Sequence, residues 1–251
     1  MKMNMIKYLK SGVAIAASVM AMTSIASAEG SLNLYNWGEY INPEIIEDFS
    51  KEFDVDVTLD TYSTNEEMLA RIQAGATGYD LVWPSVHMHD IMQKLNLLQP
   101  TNVNQMPGFE NIDPSALRSK EDPKAEYCLP YAWGAVGIFY NKEMIPELTS
   151  WQQFFDYAAA NPGKVTMLDD IIPLVTAGDM AASHYYVGAV LNANQSPDKL
   201  GFVIPEEGAT MYQEDICMLK TAPNAANALK FLEFMMRPDV SAKNTERLTN
   251  G

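Results

Sequence analysis

The sequence predicts an α/β protein with two lobes, in which mostly parallel sheets carry helices on both faces. Three strand patterns alternate with three helix patterns between residues 31 and 97, and this order is typical of parallel sheets. A long apolar segment at 126–141 follows and indicates a strand that passes between the lobes. Hydrophobic residues make up 47% of the 251 residues, enough to fill one large or two small cores.

The first third of the chain shows the alternation most clearly. Apolar residues recur at helical spacing in the predicted helices, as do Ile45, Phe49 and Phe53. The predicted strands are 31–35, 54–59 and 80–84, and the predicted helices are 43–53, 65–74 and 90–97. Trp37 and Ser85 lie just past two strand ends, where ligands bind in sheets of this kind.

The rest of the chain is less regular. A polar, proline-bearing connector is predicted at 108–123, before the crossing strand. The elements predicted after that strand are a helix at 151–160, a short strand at 164–168, a mixed segment at 179–191, strands at 201–205 and 212–219 that return to the first lobe, and a helix at 224–236. Pro238 is expected to stop this last helix, because proline has no N–H to donate.

The N-terminal residues have the pattern of a secretory signal peptide. Three lysines precede an apolar run at 13–25, and a small-x-small cleavage motif ends at Ala28. The run is too short and too often interrupted by serine and threonine for a membrane span. We expect residues 1–28 to be removed, and no cysteine follows for lipid attachment. The predicted product is therefore a free periplasmic protein.

The chain is strongly acidic. Its formal net charge is -15, and the signal peptide carries three lysines and no acids. This charge argues against nucleic acid as a partner, because phosphate binding requires a basic face. It is compatible with a cationic ligand, although acidity also keeps secreted proteins soluble.

Recognisable catalytic motifs are missing from the sequence. It has no nucleotide-binding glycine loop, no nucleophile elbow and no C-x-x-C pair. We therefore expect a binding protein without a cofactor rather than an enzyme. His87-x-His89-Asp90 is a weak metal pattern, and histidines in a loop after a strand are the favoured interpretation. No metal site is predicted.

Aromatic and acidic residues instead gather at the predicted strand ends. The group comprises Trp37, Glu39, Tyr40, Tyr185, Tyr186, Tyr212, Glu214 and Asp215. An alkylammonium ligand needs this combination, because ring faces attract the cation and carboxylates bond its N–H groups. Any one of these residues could equally be an ordinary core or rim residue, so the grouping carries the prediction.

The chain has two cysteines, Cys128 and Cys217. Two buried free thiols are one interpretation, somewhat favoured. The other is a disulfide, which an oxidising compartment permits if the fold brings the two residues together.

Several motifs, in a fixed order, resemble one family. They are Tyr35-Asn36-Trp37-x-Glu39-Tyr40, Ser63-x-Asn65-Glu66, Gly78-Tyr79-Asp80-Leu81-Val82-x-Pro84-Ser85, Leu129-Pro130-Tyr131-x-Trp133-Gly134, Leu168-Asp169-Asp170, Val203-x-Pro205-x-Glu207-Gly208 and Phe234-x-x-Arg237-Pro238-Asp239-Val240. Together they resemble the periplasmic spermidine/putrescine-binding proteins of ATP-binding cassette importers. The resemblance implies a type II periplasmic binding protein-like fold that closes on a polyamine and serves a membrane permease, as a monomer. It implies one lobe at 29–134 and 209–243 and the other at 135–208 and 244–251.

The resemblance also implies a set of ligand-binding residues. From the first lobe they are Trp37 and Tyr40 as ring walls, Glu39 on an amine, Ser85 as a polar contact and His87 in a place usually held by an aromatic residue. The others are Asp170 on an amine, Tyr186 in the place of a tryptophan, Tyr212 as another ring wall and Glu214 in the place of a carboxylate that is usually Asp. If the return strand lies beside the strand of Cys128, a cross-strand disulfide becomes possible.

Departures from the family pattern concentrate in the second lobe. Asp170 runs directly into 171–174, where family members have several dozen further residues that include a carboxylate. Ala189 stands where many members carry Asp, and the chain stops at Gly251, before the family's final helices. We therefore expect an incomplete second lobe and weak polyamine binding or none. The alternatives are an interaction or sensor protein that keeps the first lobe, or an incomplete gene product.

Overall fold

The computed structural model of the chain describes residues 30–75, 78–167 and 171–250. The predicted signal peptide, 1–28, and the Leu168-Asp169-Asp170 motif lie outside the described residues. Within the described part, no helix is long and apolar enough to cross a membrane.

Eight strands lie within the described residues. They are β1 Ser31–Trp37, β2 Asp56–Tyr62, β3 Leu81–Val82, β4 Cys128–Asn141, β5 Val165–Met167, β6 Ala182–Tyr186, β7 Leu200–Val203 and β8 Met211–Met218. The helices described with them are α1 Pro43–Phe53, α2 Asn65–Gln73, α3 Val86–Lys94, α4 Trp151–Ala160, α5 Ile172–Ala177, α6 Ala189–Gln195, α7 Ala225–Met235 and α8 Pro238–Asn250. Short 3₁₀ turns occupy the predicted polar connector and the residues just before it.

The strand order is β2-β1-β3-β8-β4-β6-β5, and β7 pairs with β4 as well. The pairs β1–β2, β1–β3 and β5–β6 are parallel, as strand–helix alternation predicts. The pairs that involve β4 or β8 are antiparallel. The sheet is therefore mixed, with its parallel pairs toward the two ends.

Strand β4 divides the sheet in two, as the long apolar segment predicted. Its first part, Cys128–Ala135, pairs with β8, and its second part pairs with β6 and β7. We call β1, β2, β3, β8 and the first part of β4 the first sheet. We call β5, β6, β7 and the second part, Val136–Asn141, the second sheet.

Two sequence predictions are corrected here. The strand pattern alone predicted that β7 returns to the first lobe, whereas the family resemblance put it in the second; Leu200–Val203 pairs with Ile138–Asn141 in the second sheet. Pro238 ends α7 as predicted, yet it also begins α8. The missing N–H of proline is harmless in the first turn of a helix, where that group has no intrahelical partner.

Helices cover both faces of the first sheet. Phe49 of α1 and Phe231 of α7 are buried against one face, and Met68 of α2 and Met92 of α3 are buried against the other. Side chains of successive strand residues point to opposite faces, so Leu34 and Tyr35 of β1 enter different clusters. The ends of the first-sheet strands are thus held by packing on both sides.

Candidate functional site

Several of the predicted site residues lie together around Glu214 of β8. Its side chain is buried, with 6% of its surface exposed. The Tyr40 hydroxyl donates to Glu214 Oε2 at 2.7 Å, and the Ser85 hydroxyl donates to Oε1 at 3.2 Å. Each carboxylate oxygen therefore has a hydrogen-bond donor, one from the loop after β1 and one from the loop after β3.

Ser85 reaches this position because it stands between β3 and α3. It is the N-cap of α3 and forms an isolated bridge with Glu214. The Asn65 side chain donates to Ser85 Oγ at 3.0 Å and accepts from the Ser85 backbone N–H at 3.1 Å. This reciprocal pair ties the end of β3 to the start of α2.

Trp37, the last residue of β1, forms the next part of the site. Its indole N–H donates to the Trp83 carbonyl at 2.8 Å, and the Tyr62 hydroxyl donates to the same oxygen at 2.6 Å. The Trp37 and Tyr62 rings lie 4.7 Å apart. Because both side chains donate to the Trp83 carbonyl, the orientation of the Trp37 indole at the end of β1 is fixed.

Tyr212 and Tyr186 extend the aromatic surface toward the second sheet. Their ring centroids lie 5.2 Å apart in an edge-to-face arrangement. Gly134 lies opposite Tyr212 on β4, and a Cβ at Gly134 would collide with the tyrosine ring. The glycine therefore leaves room for the ring to lie across the crossing strand.

The electrostatics of the cluster centre on one carboxyl group. Burial raises the pKa of Glu214, with a further rise from the charge of Asp215, while the bonds from Tyr40 and Ser85 lower it. Burial, followed by the charge of Glu214 and by Tyr186, raises the pKa of Tyr212 to about 12. Burial and Glu214 raise the pKa of Tyr40 in the same way. The phenols therefore remain neutral, and the Tyr40 hydroxyl donates to an acid that would gain from a cationic partner.

The remaining predicted site residues are not part of this cluster. Glu39 is exposed in a left-handed turn with φ 54°, and His87 is exposed on α3. Neither has a hydrogen bond or ion pair among the described contacts. Asp170 lies outside the described residues. Tyr185 contacts the Tyr186 ring, with centroids 5.8 Å apart.

The expected loop around the histidines is corrected by the structure. Helix α3 begins at Val86, so His87 and His89 are both helical. His89 is buried and its Nδ1 lies 2.8 Å from Asp215 Oδ2. Asp215 therefore belongs to the α3 side of β8, away from Glu214, because consecutive strand residues point to opposite faces.

Tyr131 is a supporting residue that was not predicted for the site. Its hydroxyl donates to the Tyr40 backbone carbonyl and accepts from Asn244 of α8 at 2.8 Å. Tyr131 lies at the irregular step in the β4–β8 register between Pro130 and Ala132. The family motif at 129–134 contains Tyr131, but no local sequence pattern predicted that its hydroxyl would contact Tyr40 and Asn244.

The two cysteines form a disulfide. Cys128 and Cys217 face each other directly across β4 and β8, with Cα atoms 4.4 Å apart. The structure thus decides between the two alternatives that the sequence left open.

A groove of about 420 Å³ lies between α1 and α8. It contains none of the predicted site residues. Its basic side chains are already paired, since Arg237 bonds Glu52 at 2.8 Å and Lys243 bonds Asp48 at 2.8 Å. These ion pairs indicate a helix–helix contact rather than a ligand site.

Comparison with known proteins places the site in context. The family described as bacterial extracellular solute-binding protein matches residues 44–173 and 169–250. The spermidine/putrescine-binding periplasmic protein of Salmonella typhimurium is 28% identical over 289 aligned positions, which cover 96% of this chain and 83% of that protein. The putrescine-binding periplasmic protein PotF of Escherichia coli is 26% identical and is covered to 81%.

The fold agrees with these relatives. The spermidine/putrescine ABC transporter substrate-binding protein PotD of Streptococcus pneumoniae has a TM-score of 0.75 at 24% identity, covering 87% of this chain and 81% of that one. The described structure therefore has the periplasmic binding protein fold. The Salmonella alignment spans more positions than the 251 residues of this chain, so the relative carries segments that this chain lacks. The two family matches meet at 169–173.

Proposed function

The chain belongs to the bacterial extracellular solute-binding protein family, and from this premise we propose that it binds a polyamine, putrescine or spermidine. The bound polyamine would be delivered in the periplasm to the permease of an ATP-binding cassette importer. This family consists of solute-binding transport proteins and is not a family of enzymes.

The observation that carries the proposal is the buried carboxylate of Glu214 among aromatic rings. An ammonium group donates to carboxylate oxygens, and such charge-assisted bonds are stronger than neutral ones. Ring faces also attract the cation, by about 2 kcal/mol when the contact is desolvated. We assign one ligand ammonium to Glu214, with Tyr40 and Ser85 beside it.

The methylene chain of the ligand would then lie along the rings. Trp37 and Tyr212 would cover it from the first sheet, and Tyr186 would cover it from the second. Polyamines differ in the spacing of their amines, so a second carboxylate at the right distance would select among them. We propose Asp170 for that role and Glu39 and His87 as rim contacts.

Enclosure of the ligand requires two lobes that meet at β4. The family resemblance put 244–251 in lobe II; we propose instead that lobe I comprises 29–134 and 209–250, with all of α8, and that lobe II comprises 135–208. The contacts of Asn244 with Asn42 and Tyr131 favour this extension of lobe I. Closure would bring Tyr186 onto the ligand held by Glu214.

Isothermal titration of residues 29–251 with putrescine and with spermidine tests the proposal. We expect one site of micromolar or weaker affinity, because the second sheet is short. Glu214→Gln should weaken binding by about ten- to a hundredfold, as expected for a hydrogen bond to a charged group. Glu206→Gln removes the same charge from an exposed position and should bind like the wild type.

Two outcomes would change the proposal. If titration with either amine gives no binding heat and no rise in melting temperature, the cleft does not bind polyamines, since a ligand that binds the native state must stabilise the native state. A role of the first sheet in protein interaction would then be the better account. If both variants lose affinity equally, long-range charge rather than the Glu214 site attracts the ligand.

A further inference from the structure

A second cluster of buried polar groups lies on the opposite face of β8 from Glu214. His89 of α3 is 1% exposed and stands between Asp215 and the sulfur of Cys128. Its Nδ1 lies 2.8 Å from Asp215 Oδ2, and its Nε2 lies 3.2 Å from Cys128 Sγ. An imidazole that donates from Nδ1 to the carboxylate leaves the lone pair of Nε2 directed at a disulfide, which has no proton to donate.

A second buried carboxylate completes this cluster. Asp122 Oδ2 lies 3.8 Å from His89 Nε2. Asp122 is held in place by the backbone N–H groups of Glu126, Tyr127 and Cys128. Two buried carboxylates thus face one imidazole, an arrangement that favours an additional positive charge.

Three side chains of this cluster lie close enough to ligate one zinc ion once the disulfide is reduced, although the two sulfurs are now bonded to each other and would have to separate. The ligand atoms of His89, Cys128 and Cys217 lie within 4.8 Å of one another. Zinc bonds to sulfur and nitrogen of about 2.3 and 2.0 Å place tetrahedral neighbours roughly 3.6 Å apart. A metal-bound histidine also donates its other N–H to a carboxylate, as His89 is placed to do with Asp215.

We propose that the reduced chain binds one Zn²⁺ through His89 Nε2, Cys128 Sγ and Cys217 Sγ, with a water molecule as the fourth ligand and the buried carboxylate of Asp122 nearby. A dithiol reductant breaks the S–S bond, supplying two electrons and two protons, and itself becomes a disulfide. Zinc then binds the two sulfurs as thiolates, and both thiol protons pass to solvent. Asp215 is a positioning residue that orients the imidazole.

Zinc and the disulfide exclude each other at this site. Disulfides persist in oxidising compartments, and thiols persist in reducing ones. The zinc form is therefore the state of the chain in a reducing environment. In either state β4 and β8 are cross-linked at the same point, so the first sheet keeps a strong connection between segments 89 residues apart in sequence.

Cobalt binding to the wild-type chain tests the site, since Co²⁺ reports tetrahedral thiolate ligation by its absorption. The protein is reduced with dithiothreitol, freed of it under nitrogen and titrated with Co²⁺. We expect a thiolate-to-cobalt band that saturates at one ion per chain, disappears on addition of Zn²⁺ and is absent from the oxidised protein. A reduced protein that develops no band would overturn the proposal.

Three variants then separate ligands from neighbours. His89→Gln should reduce the cobalt affinity at least tenfold and change the d–d spectrum, and Asp215→Asn should weaken it by about ten- to a hundredfold through loss of orientation. His184→Gln, a partly buried histidine of β6, is the matched control and should bind cobalt like the wild type.

A measurement without variants covers the case in which His89→Gln fails to fold. Zn²⁺ should raise the melting temperature of the reduced wild type and leave that of the oxidised wild type unchanged. Equal responses of the two forms would mean that zinc binds elsewhere. The polyamine titration uses a different ligand and a different face of β8, so either proposal can fail alone.

Discussion

The first and second sheets share strand β4, yet they differ in the length of their strands and in the size of their buried cores. Both sheets have helices on both faces, since in the second sheet Phe154 of α4 packs on one face and Val175 of α5 on the other. The disulfide cross-links the first sheet. The second sheet has strands of three to five residues beside β4, and its two clusters of buried apolar residues are smaller than those of the first sheet. Large apolar side chains around this smaller core are exposed. These include Phe155, Met167, Leu174 and Ile204.

The difference bears directly on the proposed function. Trp37, Tyr40, Ser85, Tyr212 and Glu214 all belong to the first sheet or its connections, whereas Tyr186 is the member of the described cluster that the second sheet supplies. The two family matches also meet at 169–173, within the second part of the chain. Most of the proposed ligand-binding residues therefore lie in the first sheet and its loops, whereas enclosure of the ligand depends on the second sheet.

Two phenylalanines on helices test this contrast in packing. Phe49 in α1 is fully buried among Phe53, Phe231 and Phe234, while Phe155 in α4 is 54% exposed. Phe49→Ala should lower the free energy of unfolding by about 3–5 kcal/mol, and Phe155→Ala by about 0.5 kcal/mol or less. Urea denaturation measures both. Similar losses would mean that the two regions are equally well packed.

Removal of the disulfide tests how much the cross-link contributes to the stability of the first sheet. Cys128→Ala/Cys217→Ala should lower the free energy of unfolding by about 2–5 kcal/mol under oxidising conditions, because the unfolded chain without the cross-link has more conformational entropy. Urea denaturation of the variant beside the oxidised wild type measures the loss. An unchanged midpoint would show that packing alone holds β4 against β8.

Substitution of Tyr212 and of Tyr186 compares how much the first and the second sheet contribute to ligand affinity. Tyr212→Ala removes a half-buried ring from the first sheet, and Tyr186→Ala removes a more exposed ring from the second. A desolvated cation–π contact contributes about 2 kcal/mol and an exposed one about 0.5–1 kcal/mol. Titration with putrescine should therefore show a loss of roughly thirtyfold for Tyr212→Ala and a few-fold for Tyr186→Ala. A larger loss for Tyr186→Ala would mean that closure of the second lobe dominates affinity.

The smallest expected effect concerns Glu214 and pH. Burial raises the pKa of this carboxyl, so its contribution to stability is present when it is protonated and is lost as pH rises through its folded-state pKa. Glu214→Gln should therefore stabilise the ligand-free protein slightly at pH 7 and have less effect near pH 4. Melting temperatures of the two proteins across this range measure the change. A variant that is less stable than the wild type at pH 7 would show that the ionised form is favoured by its bonds to Tyr40 and Ser85.

Local patterns in the sequence were sufficient to predict most of the first sheet. Strand and helix periodicities predicted β1, β2 and β3 with their intervening helices, although α3 begins four residues earlier than expected. The aromatic and acidic residues at strand ends were also visible, because such a grouping depends only on where each strand stops. The family resemblance assigned these residues to one ligand site, and the structure showed that Tyr40 and Ser85 meet at Glu214.

Contacts between distant segments were decided by the tertiary structure. The strand register sets Cys128 against Cys217 and gives β7 to the second sheet, and a one-residue slip would reverse the faces of every side chain. The same register sends Glu214 toward Tyr40 and Asp215 toward His89. The sequence thus determined which elements form and what chemistry they carry, whereas pairing across the sheet decided which groups meet, because those contacts depend on the positions of all the strands together.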